Sequence, residues 1–345
     1  MNMFPFLRRD KTAGKQKHQQ PRNSFSSFIM RLPSALLALL PSSSPPLPST
    51  TSLSLPSTTP APLATSAPTA CNGHPELCNR AYSNITQIGA HDSAFVGPLP
   101  QDNQNLDLTS QLNAGIRFLQ AQTHLDALGT LSLCHTTCLE KDAGPLTTYL
   151  STLKTWLDAN PSEVLTLLLV NGDNLKASAF DTAYTTSGLK PYAYTPPKPH
   201  LALDEWPTLQ DLIKANTRLI AFLDAGADTT SVPYLLDEFT YFFETPYDTT
   251  DPSFPQCTLD RPPHATADGR MYIVNHFLDV DIGGGILIPD RTALDTTNAA
   301  TGKGSIGAQA DLCVGLYGRG PVGVLVDFFD QGDVFTAQNR LNRLA

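Results

Sequence analysis

Residues 84–93 alternate between apolar and polar positions with the period of two that is typical of a half-buried β-strand. The alternation stops at His91 and Asp92, two titratable side chains in a row. In α/β proteins, functional side chains commonly follow the carboxyl ends of parallel strands. The segment therefore predicts a strand with a candidate site at His91 and Asp92.

Short apolar strands that end in polar residues recur along the rest of the chain. The further predicted strands cover Ile116–Thr123, Leu131–His135, Glu163–Asn171, Arg218–Asp224, Tyr241–Glu244, Met271–His276 and Val322–Asp327. Apolar residues at helical spacing predict helices over Leu106–Ala114, Pro145–Asn160 and Leu209–Ala215. Strands that alternate with helices predict an α/β fold, and we expect a TIM-like (β/α)8 barrel with irregularities.

Two of the connections between these elements are long and rich in Pro, Thr and Asp. They cover residues 175–207 and 246–268, and in a barrel we expect such insertions on the active-site face. A third connection contains the run 283–285 of three glycines, which has no strand-turn-helix frame around it. This run predicts a flexible turn rather than a phosphate-binding loop.

The first 70 residues differ from the others in composition. Residues 1–40 are basic and end in a short apolar run after Met30, which is typical of a secretory leader; a transit peptide is the competing interpretation, and Met30 is an alternative start. Residues 41–70 contain 22 Ser, Thr or Pro residues and no charge, so we expect a disordered spacer. Residues 71–345 are then long enough for one barrel domain.

Charge is distributed as unevenly as composition. Residues 1–40 hold seven basic side chains and one acidic side chain, so the remainder holds 16 basic and 31 acidic side chains, a net charge of −15. A surface with that charge repels nucleic acid and anionic membranes. We expect a monomer with no nucleic-acid partner and at most transient contact with a membrane surface.

All six cysteines follow the spacer, and their even number suits an oxidising compartment. Proximity along the chain favours the pairs Cys71–Cys78, Cys134–Cys138 and Cys257–Cys313 among many possible connectivities. A zinc site is a poor alternative because no second ligand pair has finger spacing. The segment 84–86 is a glycosylation sequon within the predicted first strand. We therefore expect a secreted or cell-wall-associated protein.

A second histidine, His135, ends the predicted strand Leu131–His135. Two histidines on neighbouring strand ends can act as a general base and a general acid. Together with the segments 88–93, 115–119 and 160–165, this pattern resembles the phosphatidylinositol-specific phospholipase C X domain, and more narrowly the secreted fungal branch of phospholipase-C-like phosphodiesterases. The clear resemblance covers roughly Cys71 to Asn171, and a weaker agreement of strand order extends to Asp330.

The resemblance implies cleavage of a phosphodiester, either a phospholipid or its glycerophosphodiester headgroup. In that chemistry a base activates the attacking oxygen and an acid protonates the leaving oxygen. The resemblance assigns the base to His91 and the acid to His135. It also places Asp327 where it would hold the His91 tautomer, and Asp92 near the leaving group.

The chain departs from the family on the second strand. Bacterial relatives carry an Asp-x-Arg pattern there, whereas this chain has glutamines at Gln120 and Gln122. Calcium-using relatives place acidic ligands nearby, and glutamines are poor substitutes for them. We therefore expect no cofactor and no metal, with both glutamines in contact with the substrate.

The missing arginine has no obvious replacement in the sequence. Arg117 lies five residues before Gln122, so the two side chains point to opposite faces of one strand. Lys141 and Arg319, from other loops, remain open as replacements. His124, Glu244 and Asn275 are further candidates for substrate binding, because each lies near the end of a predicted strand.

Two other functional classes stay open on sequence grounds. A glycoside hydrolase would use paired carboxylates such as Glu244 and Asp279 on the same kind of barrel. A degenerate barrel that only binds its ligand would explain the missing arginine. Fold alone does not choose between these classes.

Overall fold

The computed structural model describes residues 69–344. The predicted leader over residues 1–40 and nearly all of the predicted spacer over 41–70 lie outside the described residues. Among residues 69–344, no helix is long and apolar enough to span a membrane.

The twelve strands of the described chain lie in two sheets. They are β1 (Gln87–Ala90), β2 (Phe118–Leu125), β3 (Leu131–His135), β4 (Lys141–Pro145), β5 (Leu165–Asn171), β6 (Leu219–Leu223), β7 (Leu235–Asp237), β8 (Phe242–Glu244), β9 (Met271–Asn275), β10 (Asp279–Asp281), β11 (Leu287–Pro289) and β12 (Gly323–Val326). The eight helices of the same residues are α1 (Leu108–Ala114), α2 (Leu146–Ala159), α3 (Ala177–Thr186), α4 (Leu209–Ala215), α5 (Glu238–Tyr241), α6 (Leu294–Thr297), α7 (Ile306–Tyr317) and α8 (Val334–Leu341).

Eight of these strands run parallel in one curled sheet, in the order β7-β6-β5-β2-β1-β12-β9-β8. Strands β1 and β12 pair from Gln87 with Gly323 to Ala90 with Val326, so the first and last strands are neighbours, as they are in a barrel. The edge strands β7 and β8 do not pair within the described chain, and the four-residue helix α5 joins them. The expected TIM-like barrel is therefore present, and its irregularity is an open seam between β7 and β8.

Side chains along the barrel strands alternate between two apolar clusters. On β6, Leu219, Ala221 and Leu223 belong to the cluster shared with the outer helices, whereas Ile220 and Phe222 belong to the inner one. Residues 165–169 of β5 are fully buried, because helices cover the outside of the sheet and side chains fill its inside. This burial is what the long apolar run in the sequence predicted.

Most predicted elements are present with ends displaced by a few residues. Helix α1 starts at its N-cap Asp107, whose side chain accepts a hydrogen bond from the backbone of Ser110, and it ends at Gly115, as predicted. Strand β7 was not predicted, since three residues carry too little periodic signal. The predicted strand at Leu131–His135 exists as β3, but it is not a barrel strand. It pairs antiparallel with the far end of β2 and forms a hairpin with β4.

Two expectations about loops need correction. The segment 175–207 was expected on the active-site face, but after α3 it continues to Ala193, which pairs with Leu219 at the amino end of β6. The sequon residue Asn84 was expected in the first strand, but it ends a short 3-10 turn and is exposed, while Thr86 is buried. The segment 246–268 does contribute to the active-site face, as described below.

All three predicted disulfides are present: Cys71–Cys78, Cys134–Cys138 and Cys257–Cys313. No free cysteine occurs among residues 69–344. The glycine run 283–285 forms the exposed tip of the β10-β11 hairpin, in agreement with the predicted turn.

Candidate active site

A pocket of about 370 Å³ opens at the carboxyl ends of the barrel strands. Its lining includes eight of the sequence candidates, namely His91, Asp92, Gln120, Gln122, His135, Glu244, Asn275 and Asp279. Residues from the loop 246–268 and from the β10-β11 hairpin complete its wall. The strand-end rule therefore predicted many of the residues that line this pocket.

His91 follows β1 and is held in one orientation by its neighbours. Its Nδ1 atom lies 2.9 Å from Oδ1 of Asp327, the residue that follows β12. Asn103 donates to the same oxygen at 3.1 Å. The Phe277 ring stacks on the imidazole at a centroid distance of 3.7 Å. Asp327 thereby leaves Nε2 of His91 free to face the pocket.

His135 reaches the pocket from the β3-β4 hairpin, not from the end of a barrel strand. Its Nε2 atom lies 3.4 Å from Oδ2 of Asp92, and Nε2 of His91 lies 3.7 Å from the same oxygen. The distance between the two Nε2 atoms therefore cannot exceed the sum of these two distances. Each histidine side chain is about one-sixth exposed, at 16% for His91 and 17% for His135. One phosphate group could contact both rings.

The two glutamines hold the loops that carry His91 and His135. Oε1 of Gln120 accepts a hydrogen bond from the backbone of Asp92 at 2.7 Å, and Nε2 of Gln122 donates to Oδ2 of Asp92 at 2.8 Å. Oε1 of Gln122 accepts from the backbone of Thr136 at 3.0 Å. Gln122 thus joins the loop of the first histidine to that of the second. Both side-chain amides line the pocket, but their hydrogen bonds are made to other groups of the protein, which hold the two loops in place.

The backbone is strained next to the proposed catalytic groups. Each of His91, His135 and Asp327 is followed by a non-glycine residue in the left-handed region. These residues are Asp92 with φ 44°, Thr136 with φ 58° and Phe328 with φ 46°. That conformation costs on the order of 1–2 kcal/mol per residue, and such strain clusters at functional sites.

The surrounding carboxylates alter the titration of both histidines. Burial alone would lower the pKa of His91, but the charges of Asp92 and Asp327 outweigh burial and raise it to about 9. Burial likewise opposes charging of His135, yet its hydrogen bond to Asp92 raises the pKa. Burial, reinforced by the charge of Asp327, raises the pKa of the Asp279 carboxyl to about 7.

A second group of charged side chains lines the same pocket near the open seam. Glu244 ends β8, forms an ion pair with Arg261, and accepts from Nδ2 of Asn275 at 3.0 Å. Glu238 and Asp224 lie beside them. Among the described residues, Arg261 is the one lysine or arginine in the pocket wall. Arg261 was not predicted from the sequence, because its loop has no periodic pattern.

The remaining sequence candidates lie outside the pocket wall. His124 pairs with Asp173 at 2.9 Å. Arg117 pairs with Glu163 at 2.7 Å, on the face expected from its spacing. Lys141 is held by Asp102, and Arg319 donates to backbone carbonyls, so neither supplies a cation to the pocket.

Within residues 69–344, no group of three or more histidine, cysteine, aspartate or glutamate side chains is arranged to hold a metal ion. The carboxylates of the pocket are instead engaged by histidine, arginine and amide groups, or they face the cavity. The arrangement suits proton transfer between two imidazoles across a bound anion.

The curled parallel sheet, with His91 at the end of β1 and His135 on the adjoining hairpin, can be compared with known protein families. The family profile described as PI-PLC X 1 matches residues 77–342. The chain therefore belongs to the PI-PLC X domain family. This family and fold support a phospholipase-C-like phosphodiesterase function.

Two relatives come from the fungus Arthroderma benhamiae. The chain is 54% identical to "PI-PLC X domain-containing protein 1" over 282 residues, which covers 80% of this chain and 92% of the relative. It is 45% identical to an "Uncharacterized secreted protein" over 285 residues, which covers 79% of this chain and 64% of the relative. The match thus spans less than two thirds of the second relative.

A solved structure shares the fold. It is a variant of the phosphatidylinositol-specific phospholipase C from Staphylococcus aureus, with a TM-score of 0.50 and 14% sequence identity. The match covers 78% of this chain and 95% of that structure. At that identity the likeness concerns the fold alone.

Proposed function

We propose that the protein is a secreted phosphoric diester hydrolase or lyase that acts on a phospholipid or its glycerophosphodiester headgroup. The observation that carries the proposal is the convergence of His91 and His135 on one oxygen of Asp92, inside a pocket. The mechanism is general acid-base catalysis by the two imidazoles, without a metal ion.

In this mechanism Nε2 of His91 removes the proton from the attacking hydroxyl or water. The oxygen attacks phosphorus, and the bond from phosphorus to the leaving oxygen breaks. Nε2 of His135 gives its proton to that oxygen. Asp327 accepts the Nδ1–H of His91 and stabilises the imidazolium that forms. Asp92 orients both rings from between them.

Secretion is supported by two independent observations. Three disulfides are present in the described chain, and disulfides persist in oxidising compartments. One relative is named a secreted protein. We infer an extracellular or cell-wall-associated location, with the substrate met there.

The test is a substrate panel with the purified full-length protein. The panel contains phosphatidylinositol, phosphatidylcholine, glycerophosphodiesters and aryl glycosides, each with and without EDTA. We expect release of a phosphate ester from at least one phosphodiester, unchanged by EDTA, and phosphorus NMR then distinguishes a cyclic from an open product. Loss with EDTA and recovery with calcium would contradict the mechanism, and cleavage of glycosides alone would refute the proposed function.

A further inference from the structure

The pocket contains charged groups that the proposed proton transfers do not use. Among them are the side chains of Asp224, Glu238 and Glu244, here called the seam carboxylates, together with Arg261. Asp224 follows β6, and the other two lie where the barrel is open between β7 and β8. Three carboxyl groups therefore face a single guanidinium.

The seam carboxylates are not all compensated by the protein. Glu244 has Arg261 and Asn275 as partners. Glu238 is only 1% exposed, lines the pocket, and has no hydrogen-bond partner for Oε1 among the described residues. Asp224 accepts a backbone hydrogen bond from Asn171 at 2.8 Å, and no basic side chain of the described chain forms an ion pair with it.

The pKa values of Asp224 and Glu238 are both raised, which is consistent with too little positive charge around them. Burial raises the pKa of Asp224, and burial, with the charge and hydrogen bonding of Glu244, raises the pKa of Glu238; the charge of Arg261 opposes both shifts without cancelling them. Burying a polar group without a partner is costly. A ligand that brings donors and positive charge would satisfy Glu238 and Asp224 together.

The residues of the pocket wall indicate which class of cation fits the pocket. A quaternary ammonium is normally recognised by open aromatic faces. The two aromatic residues of this wall are already used: Phe277 stacks on His91, and the guanidinium of Arg261 lies 4.3 Å from the centroid of the Tyr247 ring. Carboxylates instead accept hydrogen bonds, which a primary ammonium donates and a quaternary one does not.

We propose that the seam carboxylates bind a primary ammonium carried by the headgroup alcohol of the phosphodiester substrate. This inference rests on the proposed function, because it places the phosphate between His91 and His135 in the same pocket. Ethanolamine and an amino sugar both present such a group. The pocket, at about 370 Å³, is large enough for a phosphate and a small headgroup together.

The experiment compares headgroups that differ at the nitrogen. The substrates are glycerophosphoethanolamine, its N-acetyl derivative, glycerophosphocholine and the glycerol phosphodiester of an amino sugar. We expect kcat/KM for an amine substrate to exceed that of the N-acetyl derivative by on the order of tenfold or more, as for a hydrogen bond to a charged group. The ethanolamine and amino-sugar substrates distinguish the two sources of the ammonium.

The variant that tests the site is Asp224→Asn. An asparagine keeps an oxygen for the Asn171 backbone bond and removes the charge. It should lower kcat/KM for the amine substrate by on the order of tenfold, so that the preference for the amine over the N-acetyl derivative is lost. The matched control is Asp281→Asn, which removes one charge from an exposed position on β10 and should keep the preference.

The outcomes separate this inference from the proposed function. Equal kcat/KM for all headgroups would overturn the inference and leave the phosphodiesterase function intact. If no substrate is cleaved, the proposed activity fails, and calorimetry with O-phosphoethanolamine and O-phosphocholine decides the binding site. Tighter binding of O-phosphoethanolamine that Asp224→Asn weakens would support the ammonium site, whereas equal binding of the two would refute it.

Discussion

At the scale of single residues, the site is organised by carboxylates that hold imidazoles. Asp327 binds one nitrogen of His91, and Asp92 lies between the two rings. Because a carboxylate favours the charged form of a nearby histidine, the same contacts that orient the rings also raise their pKa values. Orientation and protonation are therefore coupled in this pocket.

The first prediction is that His91→Ala and His135→Ala each remove most of the phosphodiesterase activity. A lost general acid or base typically costs on the order of 10² to 10⁴-fold in rate. The measurement is kcat with the best substrate of the panel. His200→Ala is the control, since His200 is exposed and outside the pocket wall. Full activity in both histidine variants would indicate that carboxylates, and not the two histidines, carry out the proton transfers.

The second prediction is a bell-shaped dependence of kcat/KM on pH with an optimum on the alkaline side. His91 must be neutral to act as a base, and its pKa of about 9 means that the neutral fraction grows as pH rises towards that value. His135 must stay protonated, and because its pKa is also raised, the alkaline limb lies above the ordinary histidine range. The two limbs belong to the coupled pair.

The variant Asp327→Asn tests the cause of this alkaline optimum. Without the Asp327 charge the pKa of His91 should fall, so the pH optimum should move to lower pH while the maximal rate decreases. Asp330→Asn, a change of an exposed aspartate three residues away, should leave the profile in place. An optimum that does not move in Asp327→Asn would show that the titration of His91 does not set the profile.

At the scale of elements, the chain predicts its barrel strands well and its hairpin poorly. Strand β5 is a long apolar run, so its place between two buried layers follows from composition. Strand β3 is equally apolar, yet it pairs antiparallel with the end of β2 beyond the barrel. Periodicity gives the type of an element but not its partner, so the route by which His135 reaches the pocket could not be derived.

The positions of Arg261 and Glu238 were out of reach for a similar reason. Arg261 lies in an irregular loop, and Glu238 lies in the four-residue helix that occupies the open seam. Neither residue is part of a repeating pattern, and sequence reasoning finds candidates mainly where a clear strand ends. Both residues come into the pocket through tertiary packing.

The third prediction concerns the hairpin that carries His135. The Cys134–Cys138 disulfide closes a ring across a separation of only four residues, and this ring contains His135. So small a ring constrains the unfolded chain weakly, by the logarithmic dependence on loop length, but it fixes the loop locally. Replacing both cysteines with serine should therefore lower kcat much more than it lowers the free energy of unfolding.

The matched control removes the Cys71–Cys78 disulfide, which closes a small ring across a separation of seven residues. Neither of its cysteines lines the pocket. This control should change stability by a comparable amount and leave kcat nearly unchanged. Denaturant unfolding gives the stability of both variants. Equal losses of kcat in the two variants, or free thiols at both 134 and 138 in secreted protein, would contradict the proposed role.

At the scale of the whole molecule, charge and exposed apolar residues together define how a lipid could be approached. Residues 41–345 carry a net charge of −15, which repels anionic surfaces. Around the pocket mouth, however, large apolar side chains are exposed: Leu139 at 99% on the His135 loop, and Ile282 and Ile286 at 59% each on the β10-β11 hairpin. Exposed apolar side chains that lie together, as Ile282 and Ile286 do at one hairpin tip, are typical of interaction surfaces.

The last prediction is that these residues support activity on lipid bilayers without anionic lipid. The β10-β11 hairpin lies at the mouth because Asp279 and Leu287 line the pocket, so its apolar tip would enter the interface as the headgroup enters the site. The double variant Ile282→Ser and Ile286→Ser should lower activity on zwitterionic vesicles and preserve activity on a soluble glycerophosphodiester. Leu316→Ser is the matched control, because Leu316 is 57% exposed on the outer helix α7.

Added anionic lipid should weaken vesicle binding of the wild type, most strongly at low salt. Equal losses on vesicles and on the soluble substrate would show that the hairpin serves the pocket itself, and stronger binding to anionic vesicles would contradict the role of charge.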